Sequence, residues 1–415
     1  MTADLLLTMN PGSSTVKIGL FEIEPEGPRR FARGVIDFRK GLALLRMEEG
    51  PGIFEAQLPR GTHLDLHQSL EESFRHLAGH VDLGRIVAVG HRVVHGGDRF
   101  SGPARIDAAA LEEITRLTSL APLHQPQSLR LIAAIRALRP ELAQFASFDT
   151  AFHRTNPEIV RRFALPRTLH AKGIKRYGFH GLSYKYVSEQ LVRRVPELAR
   201  GRVVIAHLGS GASLCGLRDG ASQDSSMGFS TLDGIPMATR CGALDPGVLL
   251  HMLGALEMPL PELEDILYHR SGLLGASGLS ADSRELLESD RPEAREAIDL
   301  FTFRTAGEIA RLAATLGGLD ALVFTAGIGE HQPVVRAEIC RRLAWLGLDL
   351  DGAANARNDE RIGSNAGSVA AFVIPTDEEQ VIAGEALSLL RGTLPEAARE
   401  SACAKAAIPR VAWPE

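Results

Sequence analysis

Four side chains in this sequence are candidates for chemistry on a ligand: Arg92, His180 and Arg240, which suit anions, and the acidic Asp149. Arg92 stands just past a glycine in "AVGHRVVHGGDRF", at a strand end, where a guanidinium can grip a carboxylate or phosphate through two parallel bonds. A surface arginine paired with an acidic neighbour is the plainer reading. Asp149 closes the apolar run of "QFASFDTAFH", where α/β proteins carry ligand-holding loops, although a turn or helix cap reads equally well. His180, between Phe179 and Gly181 in "KRYGFHGLSYKYV", sits beside cations and could stabilise transition-state charge or be a structural histidine. Arg240 lies in "STLDGIPMATRCGALDPG", a loop dense in small residues. Asp377, Glu378 and Glu379 in "IPTDEEQVIA" follow a proline-ended strand, where acids cap a helix or bind a cation.

Two glycine-serine turns add phosphate-binding potential. "LLLTMNPGSSTVKIGLF" (5–21) is echoed by "VVIAHLGSGASLCGLRDG" (203–220), each passing from an apolar strand through a small-residue turn into a strand carrying a basic residue. Missing Cβ atoms let backbone N–H groups approach an anion, yet such turns also serve as ordinary hairpins. "AGIGE" (326–330) joins a strand to a helix N-terminus, which favours anions through its unpaired N–H groups. There is no Gly-Lys dipeptide for a Walker A loop, no third glycine for a dinucleotide fingerprint, and no H-R-D or D-F-G tripeptide. His91 and His95 fall on a strand, about 13 Å apart at strand rise, too far to share one ion.

The elements that must position these residues read as α/β. "LRLIAAIRAL" (129–138) predicts a helix before the Asp149 strand. "PEAREAIDLFTFRTAGEIARLAATL" predicts a long helix, stopped by Gly317-Gly318 before the buried strand "ALVFT". Another helix starts near Pro333. The hairpin repeat about 200 residues apart implies two halves on one plan. At 415 residues, 45% of them hydrophobic, the chain fills two cores. The expected boundary is near 150, giving units 1–150 and 151–383, with 384–399 packing back on the first. The segment from about 400 reads as a loosely held tail. Net charge −5 argues against a nucleic-acid surface. Four scattered cysteines indicate neither disulfides nor zinc and suit a reducing cytoplasm; no apolar run is long enough for a membrane.

Taken together, "NPGSSTVK", "GHRVVHGG", "APLHQPQS", "FDTAFH", "RYGFHGLSY", "HLGSGAS", "TRCGALDPG", "SADSREL", "AGIGEH" and "TDEE" resemble, in order from Leu5 to about Leu390, the acetokinase family of acetate kinases. The resemblance implies two duplicated actin-like (ribonuclease H-like) domains around a central cleft, and a homodimer. It also implies reversible transfer of the ATP γ-phosphoryl group to acetate, giving acetyl phosphate and ADP, with Mg²⁺ or Mn²⁺. By matching motif, Arg92 and Arg240 hold acetate and the moving phosphoryl group, His180 stabilises the transition state and Asp149 is the catalytic acid residue. Asn10 and Glu378 are metal ligands, directly or through water. Val94, Leu123 and Phe179 line the acyl pocket. Lys17, His207, Leu208, Gly209, Ser210 and Gly211 face the phosphates. Asp282, Ser283 and Arg284 approach the nucleoside, and Gly327, Ile328, Gly329, Glu330 and His331 close round the nucleotide. Ser210, Thr231, Ala326 and His331 depart from the usual pattern of asparagine, proline, glycine and asparagine. A propionate kinase, or a nucleotide-operated actin-like binding protein, are the alternatives.

Overall fold

The computed structural model describes residues 3–12, 15–37, 44–49, 52–57 and 66–392; residues 393–399 of the 384–399 segment, the tail from about 400 and the turn residues Ser13 and Ser14 lie outside them. Thirteen strands form two sheets among the described residues. The first holds β1 (Leu5–Pro11), β2 (Thr15–Glu24), β3 (Gly27–Asp37), β4 (Leu44–Glu49), β5 (Gly52–Gln57), β6 (Ile86–Val93), β7 (Ala104–Arg105) and β8 (Ala143–Phe148), in the order β5-β4-β3-β2-β1-β6-β8-β7. The second holds β9 (Arg202–Leu208), β10 (Ala212–Arg218), β11 (Ala221–Ser225), β12 (Ala321–Thr325) and β13 (Ala370–Val373), in the order β11-β10-β9-β12-β13.

One topology appears twice. In the first sheet β1, β2 and β3 form an antiparallel meander, and β6 then β8 join β1 in parallel. In the second, β9, β10 and β11 form the meander, and β12 then β13 join in parallel. The echoed glycine-serine stretches are thus the first hairpins of two like-built sheets. The parallel strands are buried on both faces, which is why "LLLTM", "VVIAHL" and "ALVFT" read as unbroken apolar runs.

Helices cover these sheets. The Pro292–Leu316 helix buries Ala294, Ile298, Phe301, Thr305, Ile309, Leu312 and Leu316 at helical spacing, and ends at Gly317 with φ 72°. The Gln125–Leu138 helix begins four residues before the expected stretch, because Pro126 is compatible with its first turn. The Glu378–Leu390 helix returns from the second sheet to lie over β1, β6 and β8 and against the Gly181–Arg194 helix. A Cβ on Gly90 would sit 2.6 Å from Ile382 Cγ2, so glycine there lets this helix approach β6 two residues before Arg92. "AGIGE" differs from the expected open turn: Ala326–His331 is itself a short helix, with the Glu330 carboxylate accepting from the Ala326 N–H at 2.7 Å.

Candidate active site

Parallel pairing sets the first half of the site. Met9 lies opposite His91 and Arg92 opposite Ser147, so Asn10, Arg92 and Asp149 stand at the carboxyl ends of three adjacent strands. In the second half His207 pairs with Thr325 at the ends of β9 and β12. Ends of parallel strands are where α/β folds leave side chains free of the ladder to meet ligand.

Asp149 is fully buried and receives Arg92 Nη2 at 2.6 Å and Nε at 3.1 Å. Arg92 Nη1 donates to Asn10 Oδ1 and to the Pro11 carbonyl, each at 3.3 Å. The fork expected to grip a ligand is therefore turned mainly to Asp149. Burial pushes the Asp149 carboxyl up, against the pull of Arg92, while despite burial Asp149 and Glu378 keep the guanidinium charged. Asn10 Nδ2 donates to Glu378 at 2.8 Å and to Glu379 at 2.7 Å, holding the two acids together. Against the cost of burial, Arg92 and Lys17 hold the Glu378 carboxyl at about 2. Asp377 takes the capping role, accepting from Gln380 N at 3.0 Å and pairing with Arg30.

The second half brings neutral rings and one differently placed cation. His180 has φ 56° and Gly178 φ 85°, a left-handed course that turns the His180 N–H toward the Asp149 carboxylate. His180 Nδ1 lies 2.8 Å from Ser213 Oγ, which also bonds the Tyr184 hydroxyl. Its ring stacks on His207, centroids 4.4 Å apart, and His207 Nδ1 lies 2.8 Å from Ser183 Oγ. Burial, then the neighbouring His207, Arg92 and Arg240, hold His180 well below its ordinary pKa, and burial takes His207 to about 4. Both are neutral at pH 7. Arg240 Nη1 donates to the Thr231 carbonyl at 2.8 Å, and among the described residues no carboxylate lies within ion-pair distance of it. Burial lowers its pKa to about 10, with Arg92 adding repulsion. A Cβ on Gly211 would stand 2.8 Å from Arg240 Nη2 and 3.3 Å from His180 Nε2, so the glycine turn, the cation and the imidazole meet at one point.

Beside them is a small cavity lined by Leu123, His124, Phe179, Thr231 and Tyr268; Val94 is packed into the same core cluster as Phe179. Phe179 is buried, whereas Leu123 is about half exposed. His124, for which the sequence suggests no role, feels both Arg240 and Arg92, which with burial take it to about 3. Its signals are its place before Pro126 at a helix start and its inclusion in the "APLHQPQS" stretch, neither of which gives it a role. His91 and His95 are separate: His91 Nε2 lies 2.8 Å from Gln144 Oε1, and His95, beyond the end of β6, packs edge-on against Tyr177.

The remaining expected residues lie around this centre unequally. Lys17 is exposed but close enough to Glu378 and His207 to bias both. Ser210 is exposed at the turn after Leu208, and Gly209 approaches Ala326. Ser283 is buried and receives Gln332 Nε2 at 2.6 Å, joining the 282–284 stretch to the end of Ala326–His331. Asp282 caps the Ser283–Glu288 helix and pairs with exposed Arg284. Glu330 is committed to Ala326 N and to Thr376 N at 3.2 Å, while His331 is exposed and Gly327 has open space beside it.

Two part-buried guanidiniums, neutral imidazoles and an ionised acid around one glycine turn suit phosphoryl transfer between anions. A profile of the acetokinase family matches residues 5–384. The chain belongs to the acetokinase family. It is thus a kinase transferring phosphate to a carboxylate. It is 45% identical over 402 residues to the acetate kinase of Rhodopseudomonas palustris strain TIE-1, covering 94% of this chain and 99% of that one. It is 44% identical over 394 residues to the acetate kinase of Methylocella silvestris, covering 93% and 98%. A propionate kinase structure from Francisella tularensis superposes with TM-score 0.86 at 36% identity, covering 93% of this chain and 99% of that one. Porphyromonas gingivalis acetate kinase gives TM-score 0.83 at 32% identity, covering 94% and 100%. The expected pair of actin-like units agrees with these neighbours and with the repeated sheet order. Among the described residues no helix is long and apolar enough to cross a membrane.

Proposed function

We propose that this acetokinase-family chain phosphorylates acetate reversibly with ATP, in the crevice where Arg92, His180, Arg240 and Gly211 meet. The observation that carries the reading is geometric: a Cβ on Gly211 would stand 2.8 Å from Arg240 Nη2 and 3.3 Å from His180 Nε2, while the His180 backbone N–H turns to the Asp149 carboxylate that Arg92 holds at 2.6 Å, so guanidiniums from the two halves face one space. A carboxylate attacking a polyanion faces charge repulsion, and positioning plus positive charge supply most of the catalysis of such in-line transfers. Arg240, without a carboxylate partner of its own, meets the transferring phosphoryl group. Arg92, oriented by Asp149, faces the acetate carboxylate with its remaining N–H valence. Neutral His180 donates to a transition-state oxygen from Nε2, its Nδ1 being held by Ser213. Val94, Leu123 and Phe179 enclose the methyl group.

Lys17, the His207–Gly211 turn and Gly327–His331 take the nucleotide phosphates, with Asp282, Ser283 and Arg284 toward the nucleoside. The donor set fits Mg²⁺, which binds through one or two carboxylates and keeps several waters. Glu378 would hold it, with Glu379 beside it. Asn10, its oxygen facing Arg92, would act by orienting these acids or through water. When bound, the ion neutralises phosphate charge.

We further read unit 1–150 with the described part of 384–399, residues 384–392, and unit 151–383, as the two bodies flanking the crevice. A homodimer is supported by the Pro246–Gly254 helix, which buries none of its residues and, with its flanks, leaves Leu244, Val248, Leu250, Leu253, Leu256 and Leu260 exposed. Buried free thiols at Cys215 and Cys340 suit a cytoplasmic protein.

Incubation with ATP, Mg²⁺ and acetate in the presence of hydroxylamine tests the reading, with acetohydroxamate expected; none above background overturns it. The Francisella propionate kinase neighbour makes propionate the second candidate. One methylene in an apolar pocket is worth about 1–3 kcal/mol. The tight cavity walled by Phe179, which packs in one core cluster with Val94, favours acetate, so kcat/KM for acetate exceeding that for propionate is expected, and the reverse order would move the assignment to propionate.

A further inference from the structure

His153 closes the "FDTAFH" stretch, and neither the fold nor the catalytic roles above use it. It is buried in the short turn of helix after Asp149. Its Nε2 lies 2.9 Å from the Phe179 carbonyl oxygen, an acceptor, so Nε2 carries the proton. Its Nδ1, left as an acceptor, lies 2.9 Å from Ser222 Oγ, whose single proton also faces Asn156 Oδ1 at 2.7 Å. The imidazole is therefore held at Nε2, with Ser222 beside Nδ1, and bonds to the backbone between two functional side chains. Directly before that bond, a Cβ on Gly178 would be 2.5 Å from the His153 ring. Directly after it, His180 takes its left-handed conformation. On the other side of the segment, Gly228 O receives Tyr177 N at 2.9 Å.

We propose that His153 is a positioning residue: its Nε2–H holds the Phe179 carbonyl, and through it both the aim of the His180 ring and the wall that Phe179 gives the small cavity. A left-handed non-glycine residue costs on the order of 1 kcal/mol or more and persists only where its surroundings fix it. The His153 bond, the Gly228 carbonyl and the close fit of Gly181 against the Asp149 carbonyl are what fix this one. Because one hydrogen bond serves two adjacent residues, its loss alters turnover and acyl selectivity together. A residue that only stabilises the fold would alter neither.

The inference rests on the roles proposed for His180 and Phe179, so the test has one arm independent of activity. In ¹⁵N-histidine spectra of the full chain, the His153 Nε2–H should be slowly exchanging. His153→Leu should remove that signal and shift the His180 resonances. His153→Gln, whose amide reaches about as far as Nε2, should leave His180 near its wild-type position. In kinetics, His153→Leu should lower kcat by about 10- to 100-fold. It should also change the acetate-to-propionate ratio of kcat/KM at least several-fold, with the KM for ATP held, and His153→Gln should recover most of both. Should His153→Leu not fold, Ser222→Ala, which frees Nδ1, should move the same ratio and resonances in the same direction to a smaller extent. Unchanged His180 resonances, or an unchanged ratio in the folded variants, would overturn the proposal. Absence of acetohydroxamate from the wild type would instead remove the acetate reading, while the spectra still decide whether His153 holds His180.

Discussion

The two halves build the same sheet order yet bring opposite electrostatic habits to the crevice. The guanidinium of the first half is surrounded by acids: Arg92 is bound by Asp149, and Glu378, reaching across from the second half, lies 3.9 Å away. The second half surrounds Arg240 with neutral groups, a carbonyl, glycines and imidazoles held uncharged. Duplication thus supplied the scaffold, and the side chains at the strand ends divided the work. A paired guanidinium is a fixed part of the structure, whereas one lacking a carboxylate partner is poised for an anion that arrives.

Substitution should separate the two. Arg240→Ala is expected to lower kcat by about 10³-fold while leaving thermal stability nearly unchanged, since no buried carboxylate loses its partner. Arg92→Ala should do both, because Asp149 would be left buried and unpaired at a cost of about 3–5 kcal/mol. Kinetics alongside calorimetry check this. An equal loss of Tm in both variants would erase the distinction.

Acid provides the next contrast. His91, His95, His153 and His207 are held at about 4 and His124 at about 3, chiefly by burial. Each is neutral in the folded chain and protonates more readily when unfolded. Their stabilising contribution is complete above the unfolded value of about 6.5 and disappears as pH falls toward 4. Tm should therefore drop by at least about 10 °C over that interval. A flat Tm from pH 6.5 to 4 would contradict the burial of neutral rings.

Gly211→Ala should have a smaller effect. Its Cβ would meet the movable end of Arg240 at 2.8 Å, so a fall in kcat of about 10-fold with the fold intact is expected. Normal turnover would mean that this guanidinium need not hold its place. The smallest change concerns Ala326, which carries φ 65° where the resemblance leads one to expect glycine. Ala326→Gly should raise stability by about 0.5–1 kcal/mol by relieving left-handed strain, read as a higher denaturation midpoint.

Much of this was legible in the chain. The apolar runs and glycine stops located the long helix and the buried strands, and the echoed hairpins announced the duplication, because these follow from periodicity and backbone freedom within a few residues. The terminal position of Asp149 was legible for the same reason. That Arg92 spends its fork on Asp149 was not, since two residues 57 apart meet only through the parallel pairing of their strands. His124 lies in the "APLHQPQS" stretch, yet its role was not legible there, because a histidine before a helix carries no local mark of two distant arginines. The helical form of "AGIGE" was missed because Glu330 supplies a cap from within the segment itself.

The claim that both halves act on one transferring group is most directly tested by a double-mutant cycle on kcat/KM with Arg92→Lys and Arg240→Lys, which keep charge but lose the planar fork. Convergence on one phosphoryl group predicts that the double variant departs from the product of the single effects by at least about tenfold, a coupling of about 1.4 kcal/mol. Effects that simply multiply would mean that the two guanidiniums serve separate spaces, and would contradict a shared crevice.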